Sequence, residues 1–209
     1  MGRLKLGVLV SGGGTNLQAV IDSIEQGKTR GEVRVVISSN PEAYALKRAQ
    51  KYGIPGIYIG RRDFTTREGY EGEMIKVLKG YGVELVLLAG FMTVLSPGFV
   101  SEFRNRIMNI HPALIPAFCG KGFYGRRVHE AVLEYGVKVT GATVHFVDEG
   151  TDTGPIILQE AVPVLDDDTV DSLAERVLKV EHRLYPEAVR LYSEGRLKIE
   201  GRRVRILRG

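Results

Sequence analysis

The chain is 209 residues long, a length that suits a single α/β domain with a hydrophobic core and no need of disulfides. Hydrophobic residues make up 44% and charged residues 26% of the sequence, which is ordinary globular usage and excludes a disordered chain. The formal net charge of +4 favours anionic ligands but lies far below the charge density of a nucleic-acid-binding protein. We therefore expect small anionic substrates and no nucleic-acid partner.

Cysteine and histidine usage limits the redox and metal chemistry. Cys119 is the single cysteine, so neither a disulfide framework nor a thiolate metal cluster can form. The four histidines are scattered without the spacing of metal ligands, and we expect no metal. The first apolar run, residues 4–10, is too short for a signal sequence or a membrane span. These features predict a cytoplasmic protein without a membrane partner.

Hydrophobic periodicity predicts strands and helices that alternate through the first part of the chain. The predicted elements are, in chain order, strand 4–10, helix 16–26, strand 33–37, helix 41–52, strand 56–59, helix 66–81, strand 83–89, helix 97–103, strand 107–109 and helix 126–135. The strand at 83–89 is predominantly apolar, which is typical of a strand covered on both faces. On the helix at 126–135, the spacing directs four side chains toward the core: Val128, Ala131, Val132 and Tyr135.

From residue 138 onward the pattern changes. Alternating β-branched residues predict an antiparallel pair, strands 139–147 and 156–164, around a turn that contains Asp152. Asp168 and Thr169 then cap a long helix with a continuous apolar face. The basic C-terminal residues alternate with apolar ones, which is typical of a solvent-facing β-hairpin or edge strand. The predicted fold class is α/β: a Rossmann-like, doubly wound, mostly parallel sheet with helices on both faces and a C-terminal antiparallel extension.

Three consecutive glycines, residues 12–14, separate the first strand from the first helix. Such a turn lets successive backbone N–H groups face one point, and the helix N-terminus adds a positive dipole end. The turn lacks the Gly-Lys-Ser/Thr ending of a P-loop, and Leu17 stands where a dinucleotide motif requires its third glycine. A monophosphate held by Gly14, Thr15 and Asn16 fits better. The alternative is a tight turn in which Thr15 or Asn16 only caps the helix.

Asn109 and His111 end a predicted strand just before Pro112, which cannot donate to a strand ladder. Alternate side chains of a strand share a face, so Asn109 and His111 point the same way while Ile110 turns into the core. This places the pair at the carboxyl end of a strand. In an open α/β sheet, ligands bind at that edge.

Asp152 lies in a glycine-rich turn and is the third candidate. An Asn amide can donate to a developing oxyanion, and a His can donate or carry a proton because its pKa lies near working pH. A carboxylate could fix the tautomer of His111, raise its pKa and relay a proton through water. Together these groups suit acyl-group chemistry. Each also has a structural alternative, with Asn109 as a turn cap, His111 as a packed histidine and Asp152 as a turn former.

The other histidines and the cysteine are expected to be structural. His145 alternates in a strand and is expected to be hydrogen-bonded within the sheet, although it could line the same cleft. His129 is expected to be exposed or locally bonded. Glu181 and His182, adjacent in the long helix, could reach a ligand or pair locally. Cys119 lies in a loop without an obvious base, and we expect it to be inert.

Several segments, taken in order, resemble the phosphoribosylglycinamide formyltransferases, a family of folate-dependent enzymes of purine synthesis. The matched segments are SGGGTNLQA at 11–19, LAGFM at 88–92, NIHPALIP at 109–116, VHFV at 144–147 and DTGPII at 152–157. The resemblance covers nearly the whole chain. It implies a single formyltransferase domain over residues 1–209, with a Rossmann-like phosphate-binding part at 1–108 and a catalytic and folate-pocket part at 109–209.

The resemblance also implies roles for individual residues. The implied catalytic residues are Asn109, His111 and Asp152. The implied substrate residues are Gly14, Thr15 and Asn16 at the phosphate and Glu181 near the ribose. The implied folate-binding residues are Arg67, Met92, Thr93, Val94, Leu95, Asn109, Val147, Asp148, Glu149, Gly150 and Thr151.

The implied reaction moves the formyl group of 10-formyltetrahydrofolate, a co-substrate, to the amine of 5'-phosphoribosylglycinamide. In this scheme Asn109 and protonated His111 stabilise the oxyanion. Asp152 supports His111 and helps move a proton from the incoming nitrogen to the leaving folate nitrogen. No metal or covalent enzyme intermediate is required, the partners are small molecules, and a monomer and a homodimer both remain open.

Three features depart from the family pattern or add to it. Thr93 stands where many members have a basic residue that meets the folate tail. Leu178 replaces a polar residue that helps hold the substrate phosphate in relatives, and Lys179 beside it lies about 100° further round the helix. The glycine-rich loop at 117–125 could act as a mobile gate over the cleft.

Three alternative functions are open at this point. Methionyl-tRNA formyltransferases share the catalytic core but normally carry an additional C-terminal tRNA domain, and formyltetrahydrofolate hydrolases usually carry an N-terminal regulatory domain. The chain length disfavours both. A non-enzymatic phosphate-binding module would explain the glycine turn but would give Asn109, His111 and Asp152 no functional role.

Overall fold

Short apolar and β-branched segments form the strands, and segments with helical spacing of apolar residues form the helices between them. The computed structural model describes residues 2–208. Its strands are β1 (Leu4–Val10), β2 (Gly31–Ser38), β3 (Gly56–Tyr58), β4 (Leu85–Leu88), β5 (Ile107–His111), β6 (Val139–Phe146), β7 (Ile156–Pro163), β8 (Leu197–Glu200) and β9 (Arg203–Ile206). Its helices are α1 (Thr15–Glu25), α2 (Tyr44–Lys51), α3 (Arg67–Gly80), α4 (Pro97–Glu102), α5 (Arg126–Tyr135) and α6 (Val170–Ser193), with a short 3-10 turn at Arg61–Asp63.

All these strands belong to one sheet with the order β3-β2-β1-β4-β5-β6-β7-β9-β8. Strands β1 to β5 are parallel, whereas β6 pairs antiparallel with β5 and β7 pairs antiparallel with β6. The strand order reverses between β1 and β4, which creates a switch point where side chains at the carboxyl ends border a crevice. The predicted α/β fold with an antiparallel extension is confirmed.

Alternation along the strands separates two hydrophobic layers. On β1, Leu6 and Val8 pack in a core that includes α1, α2, α5 and α6, whereas Leu9 faces the core formed with α3 and α4. On β5, Met108 and Ile110 face the α6 side and Ile107 faces the opposite side. The alternation therefore directs the side chains of residues 109 and 111 away from the α6 core, toward the crevice edge.

Most predicted boundaries agree with the structure, and three local predictions are wrong. Helix α2 begins at Tyr44 rather than at residue 41, because Asn40 accepts a hydrogen bond from the Glu42 N–H and holds a turn before it. Tyr135 is 79% exposed rather than inward, since α5 ends there and the chain turns away at Gly136 with φ 78°. His129 is buried, with 5% of its surface exposed, rather than exposed or locally bonded.

The capping and tail predictions are confirmed. The Thr169 hydroxyl accepts from the Ser172 N–H, and the Ser172 hydroxyl accepts from the Thr169 N–H, which forms a reciprocal cap on α6. The basic C-terminal segment forms the antiparallel β8–β9 hairpin at the edge of the sheet, where β9 joins β7. Between residues 2 and 208, no helix is long and apolar enough to cross a membrane.

Candidate active site

Two antiparallel strands and the turn after them bring the polar candidates together. Asn109 and His111 lie on β5, and the register of β5 with β6 places His145 directly opposite Asn109. Asp152 follows β6 in the turn that leads to β7. The crossing of these elements gathers an amide, two imidazoles and a carboxylate at the carboxyl end of β5.

Asn109 contacts His145, which lies on β6, and Asp152, which lies in the turn after β6. Its Nδ2 lies 3.1 Å from His145 Nε2 and 3.5 Å from Asp152 Oδ1. His145 Nδ1 lies 2.8 Å from the Phe146 carbonyl, an acceptor, so Nδ1 carries the proton and Nε2 accepts from Asn109. His145 therefore fixes the orientation of the Asn109 amide, and the second N–H of this amide is directed toward Asp152 Oδ1.

His111 is held between the carboxylate and the glycine-rich loop. Its Nδ1 lies 3.7 Å from Asp152 Oδ2, and its Nε2 donates to the Phe118 carbonyl at 2.8 Å. The Gly120 N–H donates to Asp152 Oδ2 at 2.9 Å. Asp152 and Phe118 adopt positive φ angles of 57° and 49°, which is uncommon for residues other than glycine. Backbone strain of this kind is concentrated at functional sites, where surrounding contacts maintain it.

Burial and neighbouring charges set the pKa values of the pair. Burial lowers the pKa of His111 below its ordinary value, and this effect exceeds the opposing influence of the Asp152 carboxylate and the Phe118 carbonyl. Asp152 raises the pKa of His111, as expected, but burial outweighs this contribution and the net pKa is lowered. Burial alone would raise the pKa of Asp152, but the nearby His145 and His111 side chains and the Gly120 N–H together hold it below its usual range. Asp152 is thus ionised at neutral pH.

A cleft of about 550 Å³ opens above these groups. The predicted folate-pocket residues that line it are Met92, Thr93, Val94, Leu95, Asn109, Val147, Asp148, Gly150 and Thr151. Two predicted residues do not line it. Arg67 is directed to Glu71 and to the Val94 carbonyl, 2.9 Å and 2.6 Å away, so it supports the cleft rim from outside. Glu149 is exposed and lies 3.5 Å from Arg104, also exposed.

The glycine turn lies beside the same cleft. Gly14 has φ 70°, and a Cβ at this position would lie 2.7 Å from the Ala45 Cβ, so only glycine fits. In the described chain no side chain caps the first turn of α1, and the alternative that Thr15 or Asn16 serves as the cap is not what the structure shows. Asn16 lines the cleft, whereas Gly14 does not, and Thr15 lines a neighbouring cleft.

Asn16 is joined to Glu181 across the cleft floor. The Asn16 Nδ2 donates to Glu181 Oε2 at 2.6 Å, and the two side chains come from α1 and α6. Burial raises the pKa of Glu181 to about 7, and the hydrogen bond from Asn16 opposes this rise. Asn16 Oδ1 is buried without a partner, so it is an acceptor that a donor on a ligand would satisfy.

The resemblance implies a polar side chain at position 178 in relatives, and in this chain that position supplies none to either cleft. Leu178 is half-buried and lines neither cleft, and the neighbouring Lys179 forms an exposed ion pair with Glu175 at 2.9 Å. Lys179 therefore does not replace the missing polar group.

Three participants were not predicted as site residues from the sequence. His145 is identified by its register opposite Asn109, and its position in an alternating strand was the only available signal. The Phe118 carbonyl and the Gly120 N–H are backbone groups of the glycine-rich loop, and no residue type marks them. Within residues 2–208, no group of three or more His, Cys, Asp or Glu has an arrangement suited to a metal ion.

The doubly wound sheet, the oriented amide–imidazole–carboxylate cluster and the adjoining glycine turn define the class of α/β group-transfer enzymes. The chain matches the formyl transferase family model over residues 4–189. The protein belongs to the formyl transferase family.

Individual relatives extend this match. The chain is 42% identical over 192 residues to the phosphoribosylglycinamide formyltransferase of Escherichia coli, covering 92% of this chain and 88% of that protein. It is 46% identical to the trifunctional purine biosynthetic protein adenosine-3 of Drosophila melanogaster, but there the match covers 92% of this chain and only 14% of the relative. The crystal structure of glycinamide ribonucleotide transformylase 1 from Symbiobacterium toebii superposes with a TM-score of 0.94 at 50% identity, over 99% of this chain and 95% of that one.

Proposed function

We propose that the protein transfers the formyl group of 10-formyltetrahydrofolate to the amine of 5'-phosphoribosylglycinamide, a step of purine synthesis. The observation that carries this proposal is the convergence of Asn109, His111 and Asp152 in a cleft whose far side is formed by Asn16 and Glu181. The reacting groups and the candidate ribonucleotide site thus share one cavity. The similarity to the Escherichia coli enzyme over 88% of its length supports the same substrates.

The walls of the cleft suit a folate ring. Met92, Val94 and Leu95 supply apolar surface on one side, and the backbone of residues 147–152 supplies polar groups on the other. A mostly apolar pocket with a few convergent polar groups is the usual environment of a planar heterocyclic ligand. Thr93 contributes no positive charge at the rim, so the anionic tail of the folate is not paired there.

The ribonucleotide would occupy the opposite end. The carboxylate of Glu181 and the unpartnered Asn16 Oδ1 are acceptors that match the hydroxyl donors of a ribose. The backbone N–H groups of Thr15 and Asn16, at the start of α1, would then face the phosphate at the positive end of the helix dipole. Residues 1–108 supply this phosphate site, and residues 109–209 supply the catalytic groups and most of the folate pocket.

Asn109 and His111 would act on the reacting carbon. The amine nitrogen of the ribonucleotide attacks the formyl carbon, and the new C–N bond forms. The oxyanion accepts a hydrogen bond from the Asn109 N–H on the Asp152 side, which the long Nδ2–Oδ1 distance of 3.5 Å leaves only weakly bound to the carboxylate. The bond from the formyl carbon to the folate nitrogen then breaks. One proton leaves the attacking nitrogen and one is delivered to the leaving nitrogen, so the reaction is balanced without an oxidant or metal.

His111 begins neutral, because burial lowers its pKa. Its Nε2–H is committed to Phe118, so Nδ1 is the nitrogen that can accept a proton. The imidazolium formed there would be paired with the ionised Asp152, whose Oδ2 lies 3.7 Å away. Asp152 therefore stabilises a charge that develops during the reaction, and this is the arrangement that lowers a barrier.

A spectroscopic assay of formyl transfer tests the proposal. Purified protein and 10-formyltetrahydrofolate would be mixed with glycinamide ribonucleotide, with initiator Met-tRNA or with no acceptor other than water. We expect folate release only with the ribonucleotide, at a rate that rises with pH as the amine loses its proton. Equal release without an amine acceptor would establish a hydrolase, and release with the tRNA alone would establish a different transferase.

The protein's compartment belongs to the same proposal. The single cysteine, Cys119, suits a reducing environment, and purine synthesis from small soluble substrates suits the cytoplasm.

A further inference from the structure

Arg48 lies against the glycine turn, on the side that faces away from the catalytic groups. Its Nε donates to the Gly13 carbonyl at 2.8 Å, and its Nη1 donates to Gln18 Oε1 at 3.1 Å. Both acceptors are neutral, and within residues 2–208 Arg48 forms no ion pair shorter than 4.0 Å. The guanidinium therefore brings an unneutralised positive charge to the backbone of the turn.

A second cleft of about 670 Å³ opens at this side of α1. Thr15, Arg48 and His182 line it together, while Asn16 and Glu181 line the reaction cleft next to it. The first turn of α1 thus separates the two cavities. A ribonucleotide whose sugar lies over Asn16 and Glu181 would direct its phosphate over Thr15, toward Arg48.

Unsatisfied polar atoms on both sides of this boundary indicate a ligand. Asn16 is only 8% exposed and its Oδ1 has no partner. The His182 Nε2 is also buried without a partner. Burial lowers the pKa of His182, the charge of Arg48 lowers it further, and Asp22 acts in the opposite direction. The positive charge of Arg48 therefore acts on the His182 imidazole, which lines the same cleft.

Asp22, a carboxylate that lines this cleft, forms no ion pair with Arg48. Asp22 is held at 2.7 Å by Gln18 Nε2, so the Gln18 side chain stands between Asp22 and Arg48. Leu178 supplies no donor, and Lys179 is paired with Glu175. Among the cations that line this cleft, Arg48 is the one hydrogen-bonded to the glycine turn, through the Gly13 carbonyl.

We propose that Arg48 is a specificity-determining residue that binds the substrate phosphate at the glycine turn. The inference rests on the proposed function, because that function supplies the phosphate. A guanidinium suits this task since its planar donors match phosphate oxygens and its charge is permanent.

Steady-state kinetics with three variants tests the inference. Arg48→Gln removes the charge but keeps a donor for the Gly13 carbonyl, whereas Arg48→Lys keeps the charge. Lys47→Gln makes a matched charge removal at an exposed neighbouring position on α2. We expect Arg48→Gln to raise the KM for the ribonucleotide between about tenfold and about a hundredfold with kcat little changed, because a hydrogen bond to a charged group is lost. Arg48→Lys should recover most of this loss, and Lys47→Gln should resemble the wild type.

The dephosphorylated substrate, glycinamide riboside, separates phosphate binding from support of the turn. With the riboside, Arg48→Gln and the wild type should have equal kcat/KM. An unchanged KM for the ribonucleotide in Arg48→Gln, an equal loss with both substrates, or a lysine variant no better than the glutamine variant would each overturn the inference.

A second measurement does not depend on the reaction. Inorganic phosphate should raise the thermal unfolding midpoint of the wild type more than that of Arg48→Gln. Equal shifts, including no shift in either protein, would overturn the anion site. Absence of formyl transfer by the wild type would instead contradict the proposed function, so the two failures are distinguishable.

Discussion

Asp152 is held in a backbone conformation that few residues adopt, and its side chain contacts four other groups of the site, the Asn109 amide among them. Its φ of 57° lies in the left-handed region, where asparagine is tolerated nearly as well as aspartate. Its carboxylate faces His111, His145 and the Gly120 N–H. Asp152→Asn therefore removes the negative charge while keeping the size of the side chain and the backbone conformation.

Asp152→Asn should lower kcat by about a hundredfold or more while changing the KM for the ribonucleotide only slightly. The variant keeps the turn, since asparagine accepts the positive φ, but it removes the charge that would stabilise a protonated His111. Turnover and substrate affinity would be measured in the formyl-transfer assay.

Asp148→Asn is the matched control for kcat: because Asp148 lines the folate pocket, its substitution should change the KM for the folate rather than kcat. Asp148 belongs to the same turn and accepts from Gly150 and Thr153, without contacting His111. Comparable losses of affinity and turnover in Asp152→Asn, or an equal loss of kcat in Asp148→Asn, would assign Asp152 a structural role in the turn.

The long helix α6 connects the site to the sheet through a buried hydroxyl. Tyr185 is fully buried, and its hydroxyl lies 2.9 Å from both the Leu88 and the Met108 carbonyls. Leu88 is the last residue of β4, and Met108, on β5, directly precedes Asn109. The hydroxyl therefore ties together the two strands that border the cleft.

Tyr185→Phe should cost between about 1 and about 3 kcal/mol of unfolding free energy, because buried carbonyls lose their donor. Denaturant unfolding measures this change. Tyr192→Phe, on the same helix and half-buried, should stay within about 0.5 kcal/mol of the wild type, since no hydrogen bond of its hydroxyl is found in the described chain. Equal stability of both variants would show that the Tyr185 hydroxyl does not join the strands.

The turn between β1 and α1 gives a second test at the level of elements. Gly14→Ala would place a Cβ 2.7 Å from the Ala45 Cβ at a φ of 70°, whereas a Cβ at Gly13 would meet no atom within 4 Å. We expect Gly14→Ala to cost between about 1 and about 3 kcal/mol and to weaken ribonucleotide binding. Gly13→Ala should change both quantities little. Nearly equal effects of the two substitutions, measured by unfolding and by titration, would contradict the tight packing of Gly14 on α2.

The molecule as a whole retains an ionisable group whose burial destabilises the fold. Glu181 is 7% exposed, and burial raises its pKa to about 7 from an ordinary value of 4.5. Below pH 4.5 the folded and unfolded chains both hold the proton. Between pH 4.5 and pH 7 the unfolded chain loses it first, so stability falls as pH rises through this window.

Glu181→Gln should therefore stabilise the protein by about 2 kcal/mol at pH 8 and by much less at pH 5. The same variant should bind the ribonucleotide more weakly, because an amide replaces the acceptor opposite the ribose. Unfolding at the two pH values and titration with the ribonucleotide check both parts. Glu175→Gln, an exposed position on the same helix, should show no pH-dependent gain in stability. If the stability of the Glu181→Gln variant depended on pH as strongly as that of the wild type, the raised pKa of Glu181 would be refuted.

Features that depend on neighbours in the chain were determined by the sequence alone. Strand alternation places Asn109 and His111 on one face and Ile110 on the other, and glycine is the residue that allows the turn before α1. Thr169 caps α6 because its side chain reaches an N–H three residues away. These outcomes follow from local sterics and hydrogen bonding, so a periodic pattern and a residue type are sufficient to predict them.

Features that depend on residues distant in the chain were decided by the tertiary structure. Asn16 and Glu181 are 165 positions apart, and only the packing of α6 on α1 joins them. The register of β5 and β6 brings His145 to Asn109. The pKa of His111 falls rather than rises because desolvation, a property of the assembled core, outweighs one nearby carboxylate. Burial and long-range register are cooperative properties of the folded chain, and no local pattern encodes them.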